Sequence, residues 1–189
     1  MTKNDDRTSG DDVRPLPRIA RPAATEYAEY YRRYIEQVPG DDVVQHLRAQ
    51  GEATHALLVG IGEQGSAFRY APGKWSIKQV VGHMIDGERL FSYRALAFAR
   101  GDRGALPSME QEEWMAAAGF DARPFASLVE EFRRVRLATL ALFTSLTPEA
   151  CARTGIASDN RFTVRSLVWI VAGHEMHHLG VLRERYGIG

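Results

Sequence analysis

Trp75-Ser76-Ile77-Lys78-Gln79-Val80-Val81-Gly82-His83 writes the start of an amphipathic helix. Ser76 and Gln79 stand at the two ends of a capping box, in which each side chain satisfies a backbone N–H that the first turn leaves without a partner. Trp75 and Val80 are spaced as the hydrophobic staple that fixes the chain's entry angle. Beyond them Met84, Leu90, Phe91, Leu96 and Phe98 carry the helical period to a stop at Gly101. Three more segments read the same way. One follows Asp41-Asp42 with Val43, Val44, Leu47, Leu57, Leu58 and Ile61 and runs to about Gly62. Another opens at Pro124, carries Phe125, Leu128, Val129, Phe132, Val135, Leu142, Phe143 and Leu146, and closes at Thr147-Pro148. The last starts at Thr163, with Phe162 and Leu167 as staple, and continues to about Tyr186.

Four helices of roughly 20 residues each, with no strand-like alternation of any length, predict an all-α fold, a four-helix bundle. Residues 102–123 join the second and third helices and contain Pro107, Trp114 and Phe120. An antiparallel neighbour needs only a few connecting residues, so this long crossover predicts that the two helices lie parallel or diagonal, and loops of this length often cover a site. Trp114 and Phe120 then either line a pocket or anchor the loop. Residues 26–38, ended by Pro39-Gly40, read as a short helix or a collar on the main body, and Tyr27, Tyr30, Tyr31 and Tyr34 as its packing surface. Residues 1–21 are polar, charged and punctuated by Pro15 and Pro17, a composition that buries little and predicts a flexible N-terminal arm ahead of one domain over 22–189.

Composition narrows the partners. The 189 residues carry 24 Lys and Arg against 24 Asp and Glu, so no charge excess favours nucleic acid or an anionic membrane. Cys151 is the one cysteine, which excludes an internal disulfide framework and fits a reducing compartment. No apolar run approaches the length needed to cross a bilayer, and the expected location is cytoplasmic.

Chemistry concentrates in His174-Glu175-Met176-His177-His178. Four helical residues advance about 400°, so His174 and His178 lie one above the other on a single face, in a stripe with Leu167 and Val181 where apolar residues belong. Two buried imidazoles without partners are costly, and a shared metal ion satisfies both. The pattern matches H-E-x-x-H of the metalloproteases, but a catalytic zinc needs a third protein ligand. No histidine follows His178, so that ligand comes from upstream, and protease chemistry is the least favoured reading. His83 is the remaining histidine that sits mid-helix beside an apolar stripe, between Gly82 and Gly87, whose missing side chains suggest a cavity or a close neighbour. His46 and His55 are not on one face of the first helix and read as surface residues. His177, about 60° from His174, competes as a ligand, while Glu175 points about 100° away, toward a neighbouring helix or a position behind the ligands.

The two motifs together, Lys74 to His83 with Asp86, Glu88, Arg89 and Tyr93-Arg94-Ala95-Leu96, and Gly173-His174-Glu175-Met176-His177-His178-Leu179, resemble the DinB-like proteins, a superfamily that includes the S-transferases dependent on bacillithiol and mycothiol. The resemblance covers about residues 25–186. It implies a four-helix bundle, a homodimer, and a divalent metal, zinc or nickel, held by His83, His174 and His178. It further implies a metal-dependent thiol S-transferase or thiol-dependent isomerase, with a low-molecular-weight thiol as co-substrate and a small electrophile as substrate. In such a scheme Asp86, Glu88 or His177 would orient ligands or move a proton. A metal-dependent hydrolase of small molecules, and a non-enzymatic metal-stabilised bundle of a stress response, are the alternatives.

Overall fold

Each long helix but one begins where a side-chain oxygen accepts from a backbone amide of the first turn. Asp42 accepts from Gln45 N at 3.0 Å, Ser76 from Gln79 N at 3.1 Å and Thr163 from Ser166 N at 3.1 Å; Pro124 stands at the start of the fourth. The capping box is complete, since Gln79 Oε1 returns to accept from Ser76 N at 3.0 Å. In the computed structural model, which describes residues 18–189, these starts open α2 (Val43–Ser66), α3 (Ile77–Ala99), α5 (Phe125–Thr144) and α7 (Val164–Tyr186). Short helices α1 (Arg32–Ile35), α4 (Gln111–Ala118) and α6 (Pro148–Ala152) lie between or ahead of them. The four long helices form the four-helix bundle that their periodicity predicts. Among the described residues, no helix is long and apolar enough to cross a membrane.

Pairwise contacts fix the direction of every helix. Trp75 O accepts from Tyr186 Oη while His83 meets His174 further along, so α3 and α7 are antiparallel neighbours. Arg89 pairs with Glu131 at 2.6 Å and Ser92 with Thr139 at 3.2 Å, rising together along both chains, so α3 and α5 run parallel. Gln50 donates to Ala172 O at 3.1 Å and Thr54 to Glu175 at 2.5 Å, which makes α2 and α7 parallel as well. Phe125 N donates to Glu63 at one end of α2 and Arg136 to Leu47 O at the other, so α2 and α5 are antiparallel. Of the two arrangements open to the crossover, parallel neighbours is the one adopted.

Two apolar cores result, one at each end of the bundle. One gathers Phe98, Phe143, Phe162 and Trp169; the other Leu58, Met84, Phe120, Phe125 and Phe132, all under 6% exposed. Between them the helices bury a polar layer of Thr54, His83, Glu88, Arg136, His174 and Glu175. Such a layer is retained only where every charge finds a partner.

One minor two-stranded element accompanies the helices. Thr154–Ala157 (β1) and Asn160–Thr163 (β2) form an antiparallel hairpin just ahead of α7, in the register Thr154↔Thr163 to Ala157↔Asn160. Its two-residue turn is Ser158-Asp159, both at positive φ, a conformation usually advertised by Asn-Gly. Leu106 of the crossover bridges to Ala157 beside it, through Leu106 N to Ile156 O at 2.9 Å. The far end of the crossover is held by Asp121, which accepts from Ser76 Oγ at 2.5 Å and pairs with Arg69.

Of the polar arm expected over residues 1–21, residues 1–17 lie outside the described residues. Beyond them Ile19 is buried, its carbonyl accepting from Trp169 Nε1 at 3.2 Å. Arg21 stacks on the Trp169 ring at 4.1 Å and donates to Ile35 O, Val38 O and Gly40 O. The aromatic stretch after it is a collar of two 3₁₀ turns and α1, laid against α7.

Candidate metal centre

Antiparallel packing of α3 on α7 brings His83 opposite the His174/His178 pair. His83 Nε2 lies 3.1 Å from His174 Nε2, and His178 Nε2 lies 3.2 Å from the same atom, with the ligand atoms of all three within 4.8 Å of one another. His83 and His174 are buried and His178 partly so. Burial pushes His83 down to about 4 and His178 down to about 2, and it holds His174 well below the ordinary imidazole range; repulsion among the rings adds to each. At neutral pH the three are therefore uncharged, the form that ligates metals.

Three Nε2 atoms facing one another suit no purely hydrogen-bonded arrangement, because His174 Nε2 has a single lone pair or a single proton to share between two neighbours. They suit one cation well. With metal–nitrogen bonds of about 2.0–2.1 Å, nitrogens this far apart subtend roughly 100° at a common ion, between the tetrahedral and octahedral angles. The site fits a divalent metal with coordination positions left over.

The glycines beside the histidines serve close contact more than open space. A methyl group on Gly87 would stand 2.7 Å from His174 Cε1, so the ring of one helix rests on the bare backbone of the other. At Gly173 it would stand 2.0 Å from Tyr34 O, which lets the collar sit directly on α7. Gly82 likewise seats Phe120, whose role in the crossover is that of an anchor; Trp114 is 45% exposed. Aromatic rings complete the wall. Trp75 lies 5.1 Å from His83, and Tyr34 and Phe91 each lie 5.6 Å from His174.

The candidate proton-handling residues fare differently. Glu88 does not face the histidines: it is 4% exposed and forms a two-pronged pair with Arg136, at 2.9 and 2.7 Å. Position 88 on α3 faces α5 instead. Asp86 turns to the same side, where Arg89 at 3.8 Å and the neighbouring Glu131 and Arg123 set its charge environment. His177 flanks the triad without joining it, its ring 5.0 Å from His178 and 5.4 Å from Tyr34. Glu175 is buried against Thr54 and Arg136, behind the ligands, as its angle on the helix predicts. Arg136 passes over Gly51, where a methyl group would meet its Cγ at 2.7 Å.

One pocket, of about 260 Å³, touches His83 and His174 and is walled by Tyr31, Tyr34, Phe91 and Arg94, while His178 lines a second, of about 350 Å³, beside Trp75. The sequence motif that contains Arg94 assigned it no role, yet it is 2% exposed. A larger groove of about 890 Å³ runs between α3 and α5, but its charges pair with one another, Arg89 and Arg123 with Glu131 and Arg134 with Glu130. It offers shape without reactive chemistry.

Known proteins share this framework. OB0413 of Oceanobacillus iheyensis, which carries the provisional name of a metal-dependent hydrolase, is 25% identical over 153 residues, covering 78% of this chain and 87% of its own. The solved structure of YfiT from Bacillus subtilis, provisionally described as a metal-dependent hydrolase with an unusual four-helix bundle topology, superimposes with a TM-score of 0.64 at 17% identity. That match covers 89% of this chain and 94% of YfiT. A sequence profile matches residues 46–182, a span that holds His83, His174 and His178, and by that match the chain belongs to the DinB superfamily.

Proposed function

We propose that His83, His174 and His178 hold one divalent metal ion, zinc or nickel, and that the protein is an enzyme transferring a low-molecular-weight thiol to a small electrophile. The observation that carries this reading is the convergence of three neutral Nε2 atoms, two of them on rings that line a pocket. An ion there would supply Lewis acidity, lowering the pKa of a bound thiol so that it is nucleophilic at neutral pH. The chain's own residues do the rest. Three neutral imidazoles without a carboxylate would leave the charge of a bound ion unneutralised, which would favour a thiolate over a thiol. Tyr34, Phe91 and Trp75 exclude bulk water from the ligand rings. His177, beside His178 and partly exposed, is the group positioned to exchange a proton with the mouth of the site.

Hydrolysis is the second reading, favoured by the provisional names of OB0413 and YfiT. The same open positions would then serve a water molecule. One experiment tests both. Metal content is measured by elemental analysis on wild type and on His83→Ala, His174→Ala and His178→Ala, followed by turnover of electrophile and ester panels with and without added thiol. Near one ion per chain, lost in each variant, with turnover that requires thiol, is the expected result. Thiol-independent ester cleavage would replace transfer with hydrolysis, and metal retained without His83 would overturn the ligand set.

A further inference from the structure

The pocket above the histidines contains a second recognition element. Arg94 lies on the same stripe of α3 as His83, Gly87 and Phe91, so its guanidinium is carried along the pocket wall away from the triad. It is 2% exposed, and among the described residues it has no carboxylate partner. Nη2 donates to Pro107 O at 2.7 Å and to Ser158 Oγ at 2.9 Å, both neutral acceptors, while Nε is buried with no acceptor. Burial lowers the affinity of this guanidinium for its proton, and the nearby Tyr31 hydroxyl offsets only part of that. A buried cation is ordinarily met by an anion, as Arg136 is met by Glu88 and Glu175. Among the described residues, nothing of the kind meets Arg94.

The rest of the pocket repeats the pattern. None of its lining residues is acidic. Arg33 stacks on Tyr30 and Tyr34 at 4.0 and 4.8 Å at the rim, adding a second positive charge. We infer that the pocket binds an elongated small acid, with Arg94 receiving its carboxylate and the reacting end reaching the His83, His174 and His178 centre. This rests on the metal site proposed above and names the substrate class it would take. The guanidinium carbon is 5.9 Å from the Phe91 ring, which is 5.6 Å from the His174 ring. Arg94 also stands eleven residues beyond His83, about 16 Å of helix rise, so reaching both ends takes a chain of several carbons and not a single small anion. The carboxylate can belong either to the thiol or to the electrophile, since both would enter the same pocket.

The test uses cobalt-loaded full-length protein titrated with ω-mercaptoalkanoates, from mercaptoacetate to 7-mercaptoheptanoate, and with the matching mercaptoalkanols. Binding is read from the thiolate-to-cobalt absorption band. The expected result is an acid that binds at least tenfold tighter than its alcohol at one intermediate length, with no such preference for mercaptoacetate. In Arg94→Gln the preference should vanish while cobalt content and alcohol affinity stay at wild-type values; Arg94→Lys should keep part of it. Equal affinity for acids and alcohols at every length in wild type overturns the inference, as does a preference that survives in Arg94→Gln. If the protein takes up no cobalt, the metal reading fails by itself, and calorimetric titration with hexanoate against hexanol still decides the Arg94 subsite. The source is then assigned by turnover, comparing acidic and neutral electrophiles with a neutral thiol, and acidic and neutral thiols with a neutral electrophile.

Discussion

His83, His174 and His178 are held neutral by burial, and this makes the metal-free protein sensitive to acid. In the unfolded chain an imidazole titrates near 6.5, whereas in the fold His83 is held at about 4 and His178 at about 2. The unfolded state therefore binds more protons over that interval, so the contribution to stability is present above about 6.5 and is lost as pH falls toward the folded values. Denaturant unfolding of metal-free protein at pH 7.5 and pH 5 should show a loss on the order of 1–2 kcal/mol per buried imidazole. A His83→Leu variant should show a shallower dependence, and equal slopes for variant and wild type would contradict the assignment. Arg136 poses the opposite problem, one cation against two carboxylates. Burial alone would lower its pKa, and Glu175 and Glu88 more than reverse this. Removing the guanidinium by Arg136→Met strands both carboxylates in a buried layer, and the expected cost is about 3–5 kcal/mol by chemical denaturation. Glu175→Gln keeps a hydrogen-bonding side chain toward Thr54 and should leave metal content unchanged. Such an outcome separates Glu175 from the general base that H-E-x-x-H implies in a protease.

At the scale of elements, Gly87 and Gly173 decide how closely α3 and the collar approach α7. In Gly87→Ala the new methyl group meets the His174 ring, so the expected loss is in metal affinity, with circular dichroism unchanged and metal content reduced after dialysis. Gly173→Ala drives instead against the Tyr34 carbonyl, which cannot rotate away, and the cost of about 1–3 kcal/mol should appear as stability. The helices themselves were legible because their signals are local. Ser76 and Gln79, or Thr163 with its flanking Phe162 and Leu167, specify a helix start within a few residues. The hairpin was not, since Ser158-Asp159 lacks the usual turn residues and each strand has only four residues. The burial of Glu88 and Arg94 was illegible for a related reason. A charge on a helix is by default solvated, and what buries these two is the partner helix or the hairpin turn, joined to them by contacts 48 and 64 residues away. The glycines pointed to the right place for a reason only half seen, because the space they leave is filled by His174, Phe120 and the Tyr34 backbone.

Across the whole molecule, the histidine centre lies in the polar layer between the two apolar cores and joins α3 to α7, ligands 91 residues apart in sequence. An ion bound there acts as a cross-link that the unfolded chain lacks, and its stabilisation grows with free metal as RT ln(1 + [M]/Kd), about 4 kcal/mol at a thousandfold excess over Kd. For a chain of this size that corresponds to roughly 10 °C in Tm. The two cores do not depend on the ion, however: each contains fully buried apolar side chains from all four long helices. Exhaustive chelation should therefore lower Tm by about this amount while the far-ultraviolet signal of the bundle persists at 25 °C. That combination is what an exchangeable, catalytic ion requires. Outright unfolding on chelation would instead mark the metal as the keystone of the fold, and would favour a bundle whose ion serves structure alone.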